Sequence, residues 1–178
     1  SRAVRVVPNP HPAMNLLENL YPIAQAARRR IVLPEGHDPR VIAAAVKIAR
    51  SRLATPLVLA TPAELAAAER QAGLRLADHA IETLDYTAAP QLAELAAALY
   101  EKRKAKGMSQ AEAALTLRTK RLYFGNMLLA RGHVDGLVAG SIASTPDMLR
   151  AAFHCVGTAK GIKLASSCFV MDLRAPTP

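Results

Sequence analysis

The chain has 178 residues, 51% hydrophobic and 21% charged, which is enough apolar material for a buried core and excludes a disordered chain. Its net charge of +9 sits in two places, Arg2, Arg5, Arg28, Arg29 and Arg30 near the start and the Lys/Arg-rich stretch 101–121, and with 4% aromatics and no Trp this local excess suits small anions and argues against a nucleic-acid surface. No apolar run reaches the roughly 18 residues of a membrane helix and no secretory h-region follows the first arginines, while two cysteines without CxxC spacing exclude a zinc finger or disulfide scaffold, so a soluble cytoplasmic protein is expected.

Residues 1–14, with Pro8, Pro10 and Pro12 and no apolar period, read as a linker or an upstream remnant. Residues 14–29 carry Met14, Leu16, Leu17, Leu20, Ile23 and Ala26 at helical spacing, with Pro22 as a kink or break. A strand–helix rhythm then begins. Ile31-Val32-Leu33 is a short apolar strand, and Asp38-Pro39 supplies an N-cap and a first-turn proline for a helix to about Arg50. Leu57-Val58-Leu59 is the next strand, and Thr61-Pro62-Ala63-Glu64 is a capping box opening a helix to about Gln71. Residues 80–84 read as a third strand, followed by a helix from Ala89 to Lys104 that stops at Gly107.

A second capping box, Ser109-Gln110-Ala111-Glu112, opens one helix ending near Arg131-Gly132. Residues 136–140 read as a strand framed by glycines, Thr145-Pro146-Asp147 starts a helix, and Lys163 to Met171 reads as a last strand. Strands apolar on both faces, alternating with helices, predict an α/β fold with a mainly parallel sheet and helices on both faces, a three-layer sandwich. Ending at Leu173-Arg174-Ala175-Pro176-Thr177-Pro178, straight after a core strand and without its covering helix, the chain reads as truncated.

Three segments carry residues fit for chemistry. Glu35, His37 and Arg40 follow the first strand, at the end where parallel sheets bind ligands; the same residues also fit a plain loop with a helix cap. Lys102-Arg103-Lys104-Ala105-Lys106 either favours a helix dipole at its carboxyl end or clamps a phosphate. The run Gly140-Ser141-Ile142-Ala143-Ser144-Thr145 offers free helix-start N–H groups and hydroxyls as a phosphate seat, with Arg150 able to close over the anion; an ordinary capped turn is the other reading. Both cysteines fit small buried hydrophobes better than nucleophiles.

The order and spacing of several motifs resemble the phosphate acetyl/butyryltransferase family. Ile31 to Arg40 (IVLPEGHDPR) is similar to the family's opening. Lys102 to Met108 resembles its RKxKGM segment, Tyr123 to Met127 its xFGxMM helix, Val134 to Gly140 its xDGLVSG strand, Asp147 to Arg150 its xTLRP helix and Lys163 to Met171 its LVSSFFLM strand. The resemblance covers about residues 15–173 and is nearer the acetyl-transferring members.

It implies two α/β domains with the active site in the cleft between them. The activity implied is phosphate acetyltransferase: acetyl-CoA and phosphate give acetyl phosphate and coenzyme A. Residues 15–157 would be the first domain and 158–178 the first strand of a truncated second. Arg103 and Arg150 match arginines that hold phosphate and coenzyme A, Arg40 matches a basic position near the cleft, and Ser144 with Thr145 match the hydroxyl-rich phosphate turn. Coenzyme A or acetyl-CoA would be a substrate, with no tightly bound cofactor and no metal, and the intact form is expected to be a homo-oligomer. The chain departs from the family pattern at Ala143, Ala151 and Arg174. The family's catalytic Ser and Asp lie in a second half beyond Pro178, which leaves a non-catalytic phosphate- or coenzyme-A-binding module, a pseudogene product or regulatory fragment, as the alternative.

Overall fold

The protein is described from a computed structural model, over residues 16–162 and 164–166. Among these residues four parallel strands, β1 (Arg30–Leu33), β2 (Thr55–Leu59), β3 (Glu82–Leu84) and β4 (Gly136–Leu137), form one sheet in the order β3-β2-β1-β4. Period-two alternation sorts the strand residues onto two apolar layers. Val32, Leu57 and Leu59 point to one face, where α4 (Leu92–Arg103), α5 (Gln110–Thr119), α6 (Arg121–Ala130) and α7 (Thr145–Cys155) pack. Leu33 and Val58 point to the other, under Ile42, Ala45 and Val46 of α2 (Pro39–Arg50) and Ala68 of α3 (Pro62–Ala72). The expected three-layer α/β sandwich is therefore the fold.

The local signals act where expected. Asp38 caps α2 with Pro39 in its first turn, and both capping boxes form, Thr61 with Glu64 on α3 and Ser109 with Glu112 on α5. Helix α4 gives way to a 3-10 turn, Lys104–Lys106, closed by Gly107 at a φ of 88°, where a side chain would be strained. Helix α1 (Leu16–Ala27) runs through Pro22 instead of ending there.

Four expectations need correction. The single helix from Ser109 to Arg131 is two, because Lys120 adopts an extended conformation (φ −121°, ψ 90°) between α5 and α6. In one unbroken helix Lys120 and Arg121 would lie on the same stripe as buried Leu117 and Phe124, so the break carries two cations out of the core. The strand expected over 136–140 is paired only at Gly136 and Leu137, since the chain beyond turns toward Glu35. The strand expected over 80–84 starts at Glu82, because Ala80 takes a left-handed φ of 52° to close a 3-10 turn. That strand is also not apolar on both faces: Glu82 and Thr83 are exposed, as suits a sheet edge. The expected strand from Lys163 to Met171 lies outside the described residues except for Leu164–Ser166, which belong to no strand; residues 1–14 and Cys168 also lie outside them.

Candidate functional site

The sheet order reverses direction between β1 and β4: after β1 the chain moves outward to β2 and β3, and it then returns to the other side of β1. The loops leaving β1 and β4 consequently diverge and open a crevice at their carboxyl ends, the place where such sheets bind ligands. Glu35 occupies that crevice. It is 3% exposed, and its carboxylate accepts four consecutive backbone N–H groups. Gly140 and Ser141 donate to Oε2 at 2.6 and 2.9 Å, and Ile142 and Ala143 donate to Oε1 at 3.0 and 2.7 Å. Burial raises the pKa of this carboxyl, but the four donors together outweigh it, so Glu35 titrates below its ordinary value.

This pairing alters the phosphate seat expected at residues 140–145. The N–H groups of Gly140 to Ala143 are already taken by Glu35. At the start of α7, Pro146 has no N–H and the N–H of Asp147 donates to Ser144 Oγ at 3.3 Å. Ser144 is the helix cap, its hydroxyl also donating to Asp147 at 2.6 Å, and Thr145 is the exposed first residue of the helix. Arg40 stands outside the crevice, 70% exposed at its side chain. It bridges the turn to the β1 loop, binding Asp38 at 2.7 Å and donating to the Ser141 carbonyl at 2.7 Å. That guanidinium holds Asp38 down at about 2.

Beside the plugged crevice lies a cavity of about 310 Å³. Glu35 and His37 wall it from the β1 loop, Thr119 to Tyr123 from the break between α5 and α6, and Ile142, Ala143, Asp147 and Arg150 from the β4 loop and α7. A hollow of about 410 Å³ walled by Arg28, Arg52, Thr55 and Ala80 lies at the strands' amino ends, away from the end where parallel sheets carry ligands.

Next to the cavity, Tyr123 and His154 are hydrogen bonded, hydroxyl to Nδ1, at 2.9 Å. Burial lowers the His154 pKa, and the charges of Arg103, Arg150 and Lys120 lower it further. Two of the sequence candidates, Arg103 and Arg150, thus converge on one neighbourhood from α4 and α7, more than forty residues apart in sequence. Arg103 is half-buried, and its Nε has no hydrogen-bond partner among the described residues. Among the described residues Arg150 is tied only by a 3.4 Å contact to Asp147.

Arg121, Lys120, Tyr123 and His154 were not singled out as site residues by sequence reasoning. The signal for the first two was available: the polar trio Thr119-Lys120-Arg121 interrupts an apolar helical stripe. Cys155 is fully buried and its thiol is pushed up to about 12 by burial, which excludes it as a nucleophile. Among the described residues no three His, Cys, Asp or Glu side chains are grouped to hold a metal, and no helix is long and apolar enough to cross a membrane.

Comparison with known proteins agrees with this fold. The family model described as "Phosphate acetyl/butaryl transferase" matches residues 15–177. A phosphate acetyltransferase of Thermoanaerobacterium thermosaccharolyticum is 34% identical over 160 residues, 90% of this chain and 47% of that protein. One from Nitrosomonas europaea is 39% identical over 150 residues, 84% of this chain and 21% of that protein. A phosphotransacetylase crystal structure from Streptococcus pyogenes superposes with a TM-score of 0.77 at 29% identity, over 86% of this chain and 46% of that one. The EutD phosphotransacetylase from Staphylococcus aureus gives 0.73 at 30% identity, over 83% and 45%. The chain spans about half the length of the first of these relatives, and less of others.

Proposed function

Because the chain belongs to the phosphate acetyl/butaryl transferase family, we propose that it forms the amino-terminal part of a phosphate acetyltransferase, moving an acetyl group between acetyl-CoA and inorganic phosphate. Residues 15–157 are the first α/β domain in this reading, residues 158–178 the first strand of a second, and residues 1–14 a linker or an upstream remnant. The observation that carries the proposal is the cavity beside the β1–β4 crevice. Lys120, Arg121 and Arg150 line it, and Arg103 acts on the adjoining His154. Both substrates are polyanions, and fixed cations in a partly enclosed site are what their phosphoryl groups require.

In this reading a phosphate oxygen attacks the thioester carbonyl carbon, and the carbon–sulfur bond breaks to release coenzyme A as thiolate. Arg150 and Arg103 bind and orient the anionic groups, Ser144 and Thr145 flank their approach, and Arg40 acts indirectly by holding the Ser141 turn. Much of the rate comes from positioning and charge. The thiolate takes up the proton that the attacking phosphate gives up; in the reverse direction the thiol's proton passes to an acceptor carried by the family's second half. Coenzyme A is a substrate here, not a resident cofactor; the setting is cytoplasmic, and the intact protein is a homo-oligomer.

The test is an acetyl phosphate-forming assay on the complete protein. Arg150→Gln is expected to lower kcat/KM by at least about tenfold, the value of a lost charge-assisted contact. A polypeptide of residues 1–178 alone is expected to give no turnover. Unchanged kinetics in the variant would remove Arg150 from the site, and ordinary turnover by residues 1–178 would place the catalytic groups within them.

A further inference from the structure

We propose that His37 is a ligand-contacting residue of the cavity, held by Arg121 as a neutral Nε2–H hydrogen-bond donor for a phosphoryl oxygen of the substrate. The proposal rests on the reading of the cavity as a site for phosphate-bearing ligands.

Its first ground is the geometry of a single contact. The Arg121 guanidinium lies 2.7 Å from His37 Nδ1, and a guanidinium has donors only. Nδ1 must therefore be the acceptor, and the proton of the neutral ring sits on Nε2. A doubly protonated ring would set an Nδ1–H against an arginine N–H at the same distance, so the contact itself opposes protonation.

The second ground is how firmly Arg121 is held. Its other terminal nitrogen binds Glu64 at 2.6 Å, and its guanidinium lies over the Tyr86 ring at 5.2 Å. Glu64 is fixed in turn by accepting the Thr61 N–H of the α3 capping box at 3.0 Å. A relay thus runs from the start of α3, through the first residue of α6, to the loop after β1, and it ends on the cavity wall. With Arg121 on Nδ1 the only hydrogen bond the ring makes among the described residues, Nε2–H is left over for a ligand.

The charges around the ring agree. Burial and Arg121 lower the imidazole's pKa, and the opposing pull of Glu64, Glu35 and Asp38 does not overcome them. His37 is accordingly neutral at neutral pH. Lys120 and Arg150, which line the same cavity, supply the charge an anion needs, and His37 adds direction. Glu35 beside it has both oxygens covered by backbone N–H groups, which blunts its repulsion of an anion.

The experiment compares the intact wild-type protein with His37→Leu, His37→Gln and Arg121→Met. Calorimetry is run separately with inorganic phosphate and with coenzyme A, so that the probe affected identifies which phosphoryl group is contacted. His37→Leu is expected to weaken one probe about tenfold, raising KM more than it lowers kcat. His37→Gln, whose amide nitrogen reaches the position of Nε2, is expected to recover most of that loss. Arg121→Met frees Nδ1, so the His37 ring is expected to take its second proton at a higher pH than in the wild type, read from the titration of its imidazole NMR signals.

NMR of the imidazole nitrogens in the wild-type protein reads the tautomer directly and does not depend on any variant folding. A proton on Nδ1, or His37 signals unmoved at saturating ligand, overturns the proposal. So does a folded His37→Leu protein that binds both probes as the wild type does, while leaving the functional reading intact. A wild-type protein that binds neither probe and transfers no acetyl group overturns both.

Discussion

Glu35 shows how much of this site is decided by one side chain. A carboxylate with four backbone donors is the complement of a phosphate seat: it fills with a fixed anion the N–H groups that a ligand would otherwise use. Replacing it with Gln turns one oxygen into an amino group facing two N–H donors. Glu35→Gln should therefore lose about 3 kcal/mol of stability, read from urea denaturation; a loss below about 1 kcal/mol would mean that other contacts hold the turn. Asp38, a few residues on, contributes to the acid response. Its pKa falls from an ordinary 3.8 to about 2 because Arg40 hydrogen bonds to it. The stabilisation is complete above about pH 4 and is lost as pH falls toward 2. With Arg40 largely exposed it amounts to about 1 kcal/mol. Asp38→Asn should remove that part of the acid limb in pH-dependent denaturation, and an unaltered limb would assign it to other carboxyls.

At the scale of elements, the close approach of the β1 loop to β2 depends on Gly36. A Cβ there would stand 2.4 Å from Val58 Cγ1 and 2.7 Å from the Leu59 carbonyl oxygen, and the Gly36 N–H donates to that same carbonyl at 3.1 Å. The loop cannot retreat without dragging Glu35 and His37 from their partners. Gly36→Ala should cost about 3 kcal/mol and lower ligand affinity at the same time, measured by thermal unfolding and calorimetry. Unchanged stability would mean that the loop has slack. The break between α5 and α6 matters in the same way. It places Lys120 and Arg121 at a helix start on the cavity wall, where an unbroken helix would have turned them toward the core.

For the molecule as a whole, the question is whether α7, which carries Arg150, can leave the sheet independently. Cys155 near its end is fully buried and donates its thiol to the Tyr123 carbonyl at 3.6 Å, so α7 is bound to α6 within the main core layer. A protonated, buried thiol reacts only when it is exposed. Cys155 should stay unlabelled by a thiol reagent under native conditions and label at a rate that follows global unfolding in denaturant. Mass mapping separates it from Cys168. Labelling faster than global unfolding would show α7 opening by itself, as a mobile wall of the site.

Local chemistry was legible from the residues alone. The caps at Asp38, Thr61 and Ser109, the apolar strands at 31–33 and 57–59 and the helix start after Ser144 all depend on groups within about four positions of one another. Motif order along the chain was enough to show the family resemblance, and it singled out Arg103 and Arg150. Tertiary structure alone decided which groups are already spoken for. Glu35 meets its donors 105 to 108 residues away, and Arg121 meets His37 at a separation of 84, because the sheet order sets β4 beside β1 and α6 beside the β1 loop. A free phosphate seat and an occupied one have the same local sequence. They differ only in what the rest of the chain brings to them.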